Sequence, residues 1–267
     1  MLRAAYLDLD GTLLGRGASL LRDADGAFTL LGVRALEACA RAEVEVVPYS
    51  GRRQSTLLHD TRMLGLPSYI FEAGCGLVLD GELEWLTDGL EPRDGKTIHE
   101  QIEESGAPAL LLEHYAGRLT IYEPWRYNRE VSHLFLGDEI DAFEADALLS
   151  EHGLDHLRLV DNGVMQGLDG AARAYHLIPR AASKARAVAR HMQARGYAPE
   201  EVIAVGDSRE DLGAAAVVGT FWLVANALER EPGLRAAMAE FSNVRVAEAS
   251  HGAGVYEAVI TTLAERR

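Results

Sequence analysis

Asp8 and Asp10 stand two residues apart at the end of the apolar run Ala5-Tyr6-Leu7, and Gly11 follows at once. That order predicts a buried strand handing its last residues to a tight turn, which places two carboxylates at the rim of a sheet. In open parallel sheets the carboxyl ends of strands are where ligands bind. One Asp would suffice to cap a turn, so a second one reads as part of a site. Three later segments show the same logic. Ser50-Gly51-Arg52 follows the apolar stretch that ends at Pro48, Lys184 opens a helical stretch, and Gly206-Asp207-Ser208-Arg209-Glu210-Asp211 follows Val202-Ile203-Ala204-Val205. Taken singly each has an ordinary reading: Ser50 as a helix cap, Lys184 on a solvated face, Asp211 as an early-helix carboxylate favoured by the dipole. Taken together they are polar turns expected to converge.

Asp8-Leu9-Asp10-Gly11-Thr12 resembles the first motif of the haloacid dehalogenase superfamily, whose phosphatases carry Asp-x-Asp-Gly-Thr at this place. Ser50-Gly51-Arg52 looks like the second motif, Lys184 like the third and Gly206 to Asp211 like the fourth, so the resemblance spans the chain in order. An insert between the second and third motifs is the layout of members with a C2B-type cap, such as Cof, sucrose-phosphate phosphatase and mannosyl-3-phosphoglycerate phosphatase. The resemblance implies Mg2+-dependent hydrolysis of a small phosphomonoester through an aspartyl-phosphate. By the same resemblance Asp8 attacks phosphorus, and Asp10 protonates the leaving alcohol and then activates water. Ser50 and Gly51 bind phosphate oxygens, and Lys184 neutralises phosphate and Asp8. The metal is held by Asp8, Asp10 (through its carbonyl) and Asp207, with Asp211 and Thr12 in support. A sugar phosphate or phosphorylated glycosyl-glycerate is the substrate class implied. A phosphomutase with the same cap type and a non-catalytic binder of phosphorylated metabolites are the alternatives. Two positions depart from the pattern: Glu210 stands where many capped members have Asn, and Glu72-Ala73-Gly74-Cys75 replaces Glu-Asn-Gly-Ala. Asn226 resembles the Asn of the closing Gly-Asn-Ala and is a candidate to line the site.

A carboxylate is ionised at neutral pH, so Asp8 needs no separate base to act as a nucleophile. Charge is the obstacle, since two unit negative charges at 4 Å repel by about 4 kcal/mol at an effective dielectric of 20. Positive charge must be supplied, and a set of carboxylates without a Cys or His cluster suits Mg2+.

With 41 acidic against 26 basic residues the net charge is −15, which argues against a sequence-independent grip on nucleic acid or an anionic membrane. Only two cysteines occur, and no apolar run reaches membrane-spanning length, so a cytoplasmic protein with free thiols is expected, a monomer or small homo-oligomer.

The elements that must position these residues form an α/β pattern. Strands are expected at the start, at 44–48 and at 69–71, with helices from Leu31 and over 53–64 between them, which implies a parallel sheet with right-handed crossovers. The segment 15–29 reads as an exposed loop or hairpin. From 81 the rhythm changes. A helix over 94–106, a hairpin of strands 110–114 and 119–123 around Ala116-Gly117-Arg118, a helix over 139–152, and strands near 132–136, 157–160 and 174–178 describe an α+β insert. The doubly wound pattern resumes with a helix over 183–195 ended by Gly196, a strand at 202–205, a short helix over 209–218, a strand at 220–224, a helix over 228–240, a strand at 244–246 and a helix over 255–264. The expected organisation is a doubly wound, Rossmann-like core of residues 1–80 and 176–267 with an α+β cap of 81–175. Arg126, Arg129, Asn162 and His176 in the cap, with Arg52, are candidates for substrate contact.

Overall fold

The computed structural model describes residues 1–164 and 172–266. The chain opens with β1 (Ala4–Leu7), α1 (Leu31–Arg41), β2 (Glu45–Pro48), α2 (Gln54–Leu64), β3 (Tyr69–Phe71), β4 (Gly76–Leu79) and β5 (Glu82–Trp85). Its middle comprises α3 (Ile98–Glu104), α4 (Ala107–His114), β6 (Leu119–Ile121), α5 (Glu123–Arg126), β7 (His133–Gly137), α6 (Ala142–Glu151), β8 (Leu157–Val164) and β9 (Arg173–Pro179). It closes with α7 (Lys184–Arg195), β10 (Val202–Gly206), α8 (Arg209–Leu212), β11 (Thr220–Leu223), α9 (Ala225–Arg230), α10 (Leu234–Met238), β12 (Val244–Val246) and α11 (His251–Glu265).

Five parallel strands run in the order β12-β11-β10-β1-β2. Both faces are covered. Ala5 and Leu7 of β1 pack with residues of α1 and α11, while Ala4 and Tyr6 point the other way and pack with residues of α7. This is why β1 reads as a continuous apolar run rather than an alternating one. Burial of Ala187, Val188 and Met192 seats α7 on the sheet. Ser183 caps the helix by accepting from the Arg186 N–H at 3.0 Å, and Gly196 ends it in the left-handed region at φ 65°.

The insert carries an antiparallel sheet in the order β6-β7-β9-β8. Its inner face packs on α3, α4 and α6 through Ile102, Leu111, Leu149, Leu159 and Tyr175. Several expected elements differ from those observed. Residues 107–114 form a helix rather than a strand: Pro108 sits in its first turn, and a run of apolar residues carries no period to tell the two states apart. The turn at Ala116-Gly117-Arg118 therefore leads from helix to strand, and β6 pairs with β7 instead. The helix expected over 228–240 is broken into α9 and α10 at Pro232, which cannot continue it. The hairpin β4–β5 was not anticipated, and its turn at Asp80-Gly81 coincides with the expected boundary after residue 80. At the other boundary β9 runs unbroken through 175 and 176 to Pro179, all of it paired within the insert's sheet.

Candidate active site

Strand register brings the polar turns together. Leu7 lies beside Val205 on one side and Pro48 on the other, so the residues that follow each strand emerge at one level on three adjacent strands. Asp8, Ser50 and Asp207 thereby share one rim of the sheet and one cavity of about 510 Å³. Lys184, the first residue of α7, points into this rim. Its Nζ donates to Asp8 Oδ1 at 2.8 Å and to Asp211 Oδ1 at 2.6 Å, and it lies 4.9 Å from the centroid of the Tyr49 ring. The lysine is 1% exposed, so this charge is committed to its partners and is not a solvated face.

Asp211 organises its own turn. Its Oδ2 accepts the N–H of Asp207 at 3.2 Å, the N–H of Ser208 at 3.0 Å and the Ser208 hydroxyl at 2.7 Å. Thr12 Oγ1 donates to Asp207 Oδ1 at 3.0 Å, and Arg230 Nη1 donates to Asp207 Oδ2 at 2.8 Å. Gly11, at φ +92°, allows this approach, because a Cβ there would collide with the Asp207 carboxylate and crowd the Arg230 guanidinium.

Three carboxylates, two buried and Asp207 nearly so, meet two cations here. Burial, together with Asp211 and Asp207, pushes the Asp8 carboxyl well above the ordinary range against the pull of Lys184. Burial and Asp211 raise Asp207 to about 6 in spite of Arg230. Ligand oxygens of Asp8, Asp207 and Asp211 lie within 4.8 Å of one another, the one such group among the described residues. An oxygen-only donor set with surplus negative charge in a buried rim fits a hard divalent cation such as Mg2+. The side-chain oxygens of Asp10 lie outside this group, and Asp211 supplies its third carboxylate.

Asp10 faces the cavity, but its carboxylate is gripped from outside. Arg52 donates to it through Nε and Nη2 at 2.6 Å each, and reaches Asp60 through Nη1 at 2.8 Å. Ser50 is 2% exposed, and its Oγ accepts the Arg52 N–H at 3.2 Å. From the insert, Arg129, Asn162 and His176 line the cavity opposite the sheet rim. Arg129 Nη1 donates to the Gly51 carbonyl at 3.3 Å and to Ser132 Oγ at 2.9 Å, which brings the insert onto the Ser50-Gly51 turn. Burial, with Arg129 and Lys184 adding, drives the His176 pKa well below its ordinary value, so its imidazole is neutral.

Two candidates are placed elsewhere. Arg126 pairs with Glu123 at 3.2 Å on the exposed side of α5 and is not part of the cavity wall. Asn226 is buried behind the first turn, where Nδ2 donates to the Gly11 carbonyl at 2.9 Å and Oδ1 accepts from the His251 N–H at 2.9 Å. It braces the loop that carries Asp10 and Gly11 instead of lining the site. The departures from the motif pattern also find partners. Glu210 turns away from the carboxylates to accept from Arg158 of β8 at 3.2 Å and from the Lys184 N–H at 3.3 Å. Glu72 accepts the N–H groups of Glu130, Val131 and Ser132 at 2.8, 3.1 and 2.6 Å and the Ser132 hydroxyl at 2.7 Å, tying the insert to the loop after β3. Arg230 escaped the sequence reading. It sat inside the helix expected over 228–240, whereas the break at Pro232 makes it a helix-terminal residue free to turn into the site.

No protein-family model matches the chain. It is 26% identical over 259 residues to a phosphoglycolate phosphatase of Methanoculleus marisnigri, covering 97% of this chain and 96% of the relative. The sucrose-phosphatase of Synechocystis sp. PCC6803 superposes with a TM-score of 0.68 at 16% identity, covering 98% of each chain. A haloacid dehalogenase-like hydrolase of B. subtilis superposes with a TM-score of 0.61 at 18% identity, covering 97% of this chain and 99% of the other. These likenesses run end to end and include the insert, and Asp8, Lys184, Asp207 and Asp211 line one cavity. The chain shares the fold of capped haloacid dehalogenase-like hydrolases and is similar along nearly its whole length to a phosphoglycolate phosphatase.

Proposed function

We propose that the chain is a Mg2+-dependent phosphomonoester hydrolase that works through an aspartyl-phosphate on Asp8, with the phosphate ester of a small hydroxy acid as its substrate. The observation that carries this reading is the buried Lys184 ammonium shared between Asp8 and Asp211, beside Asp207. Such a constellation sets a fixed counter-charge beside the Asp8 carboxylate and aims it where a phosphoryl group can enter from the cavity.

Asp8 is the nucleophile. One of its oxygens forms a bond to phosphorus as the bond to the leaving oxygen breaks, and the departing electron pair stays on that oxygen. Ser50 Oγ and the Gly51 N–H are the donors for the phosphoryl oxygens, and Lys184 offsets charge on both sides of the transfer. Asp10 supplies the proton to the leaving oxygen and then takes one from the water that opens the acyl phosphate. For this its carboxylate has to turn from Arg52 toward the cavity. Asp8, Asp207 and Asp211 would hold Mg2+, which when bound supplies the positive charge that lets a phosphate dianion approach three carboxylates.

The curated relative supports a two-carbon acid as the leaving group. A sugar phosphate is the second reading, favoured by a cavity of about 510 Å³, larger than so small an acid fills. Both cysteines are buried free thiols, in keeping with a reducing cytoplasm. Inorganic phosphate release, measured with Mg2+ over phosphoglycolate, phosphoglycerates, hexose phosphates and nucleotides, tests the proposal. Release from a substrate with a single phosphate separates hydrolysis from mutase transfer. Asp8→Asn is expected to abolish release without lowering the melting temperature, since it also removes one of three mutually repelling buried acids. An active Asp8→Asn protein would refute the nucleophile assignment.

A further inference from the structure

The cavity wall contains four arginines, and three are accounted for. Arg52 is taken by Asp10 and Asp60, Arg230 by Asp207, and the partly solvated Arg53 donates to Thr56 Oγ1 and the Tyr127 carbonyl. Arg129 differs. It is 7% exposed, and among the described residues it has no carboxylate partner. Its Nε donates to the Trp125 carbonyl at 2.9 Å, and its Nη1 serves Ser132 and Gly51. Nη2 makes no hydrogen bond to any described residue. Glu72 acts on it electrostatically without a direct ion pair, its oxygens being occupied by three backbone N–H groups and the Ser132 hydroxyl. A buried guanidinium on a cavity wall, held in place but left with a spare donor group and no directly paired carboxylate among the described residues, is costly unless a ligand completes it.

Its neighbours point the same way. Asn162 Oδ1 is buried without a hydrogen-bond partner, and rotation of the amide offers its NH2 group to the same space. Neutral His176 stands against Gly51: a Cβ on that glycine would meet His176 Nε2 at 2.9 Å and Asn162 Nδ2 at 3.2 Å. These groups therefore lie directly over the Ser50-Gly51 turn, about where the first atoms beyond a bound phosphate must be. A short leaving group reaches them.

We propose that Arg129, assisted by Asn162, binds a carboxylate on the leaving group and thereby selects phosphate esters of short hydroxy acids over neutral esters of equal length. This rests on the phosphomonoesterase reading of the same cavity. The experiment compares kcat/KM for 2-phosphoglycolate and ethyl phosphate, which share a two-carbon chain and differ in the carboxylate, using the full chain with Mg2+. The wild-type protein is expected to prefer phosphoglycolate by about tenfold or more, the scale of a charge-assisted hydrogen-bonded contact. In Arg129→Met that preference collapses toward unity, with the loss in KM for phosphoglycolate. Asn162→Asp, which sets a negative charge against the substrate's, reads the same ratio should Arg129→Met not fold. A wild-type protein without preference, or variants that lose both substrates in equal proportion, would overturn the assignment, since a purely structural role at Gly51 and Ser132 moves both together. Absence of phosphate release from every monoester would instead remove the underlying reading.

Discussion

A glycine can be required by what stands over it rather than by its own backbone, and Gly51 is such a case. It has no positive φ, so Ala is conformationally allowed, yet the methyl group would press on His176 and Asn162 of the insert. Overpacking of this kind costs about 1–3 kcal/mol. Gly51→Ala is therefore expected to lower kcat/KM by roughly ten- to a hundredfold at a melting temperature close to that of the wild type, because the strain is relieved by lifting the insert off the Ser50-Gly51 turn. Steady-state kinetics beside a thermal melt decides it, and unchanged kinetics would mean that the insert does not bear on that turn. At this scale the convergence of Asp8, Lys184, Asp207 and Asp211 was legible, because each stands at the end of a strand or near the start of a helix. The grip of Arg52 on Asp10 and the pairing of Arg230 with Asp207 were not. Both depend on where long side chains reach across turns far apart in the chain, and local spacing carries no trace of that.

Elements are held in place by partly buried polar knots as well as by apolar packing. Glu45 of β2 accepts from Arg195 at the end of α7 at 2.9 Å, from Tyr197 at 2.8 Å and from Ser68 at 3.0 Å, with the buried His191 3.5 Å away. Burial opposes its ionisation, but His191, Arg195 and Tyr197 together hold its carboxyl down at about 2. The folded state thus takes up this proton less readily than the unfolded chain. The stabilisation is complete above the ordinary carboxyl value of 4.5 and is lost as pH falls from there toward 2, at about 1.4 kcal/mol per pH unit. Glu45→Gln is expected to be less stable by about 3 kcal/mol near neutral pH, with the gap closing as pH approaches about 3. Urea unfolding at the two pH values measures it, and a gap of equal size at both would show that the carboxylate's charge is not what matters. Glu72 does a comparable job for the insert. Glu72→Ala leaves three N–H groups and a hydroxyl without their acceptor, at about 1–3 kcal/mol for each group that stays buried. Hydrogen exchange should then lose its protection at residues 130–132, and retained protection there would place the anchor elsewhere. The core elements were readable because strands buried on both faces alternate with amphipathic helices. In the insert, the short apolar segment at 107–114 gave no period, and its state was decided by tertiary packing of Leu111.

On the scale of the molecule, the site is closed by the two ends of the chain. β1 pairs with β10, so Asp8 and Asp207, 199 residues apart by their numbers, face each other across one sheet rim, and the whole insert is looped out between them. Glu210 to Arg158 at 3.2 Å and Glu231 to Arg173 at 3.1 Å then fasten the insert's sheet back to the C-terminal part of the core. A cation bound by Asp8, Asp207 and Asp211 would bridge segments that unfolding separates, and would relieve the repulsion that raises Asp8 and Asp207. Anything that binds only the folded state stabilises it by RT ln(1 + [L]/Kd), about 2.7 kcal/mol at a hundredfold excess over Kd. Removing divalent metal with a chelator is therefore expected to lower the melting temperature of the entire chain in one transition, and Mg2+ to restore it in a concentration-dependent way. Asp207→Asn should melt no lower than the wild type in chelator, because one repelling charge is gone, and should lose the Mg2+-dependent rise. Calcium, with its longer and looser oxygen coordination, is expected to raise the melting temperature without supporting turnover. A wild-type melting temperature indifferent to chelator and to Mg2+ would separate these carboxylates from metal binding and leave Lys184 and Arg230 as the cations paired with them.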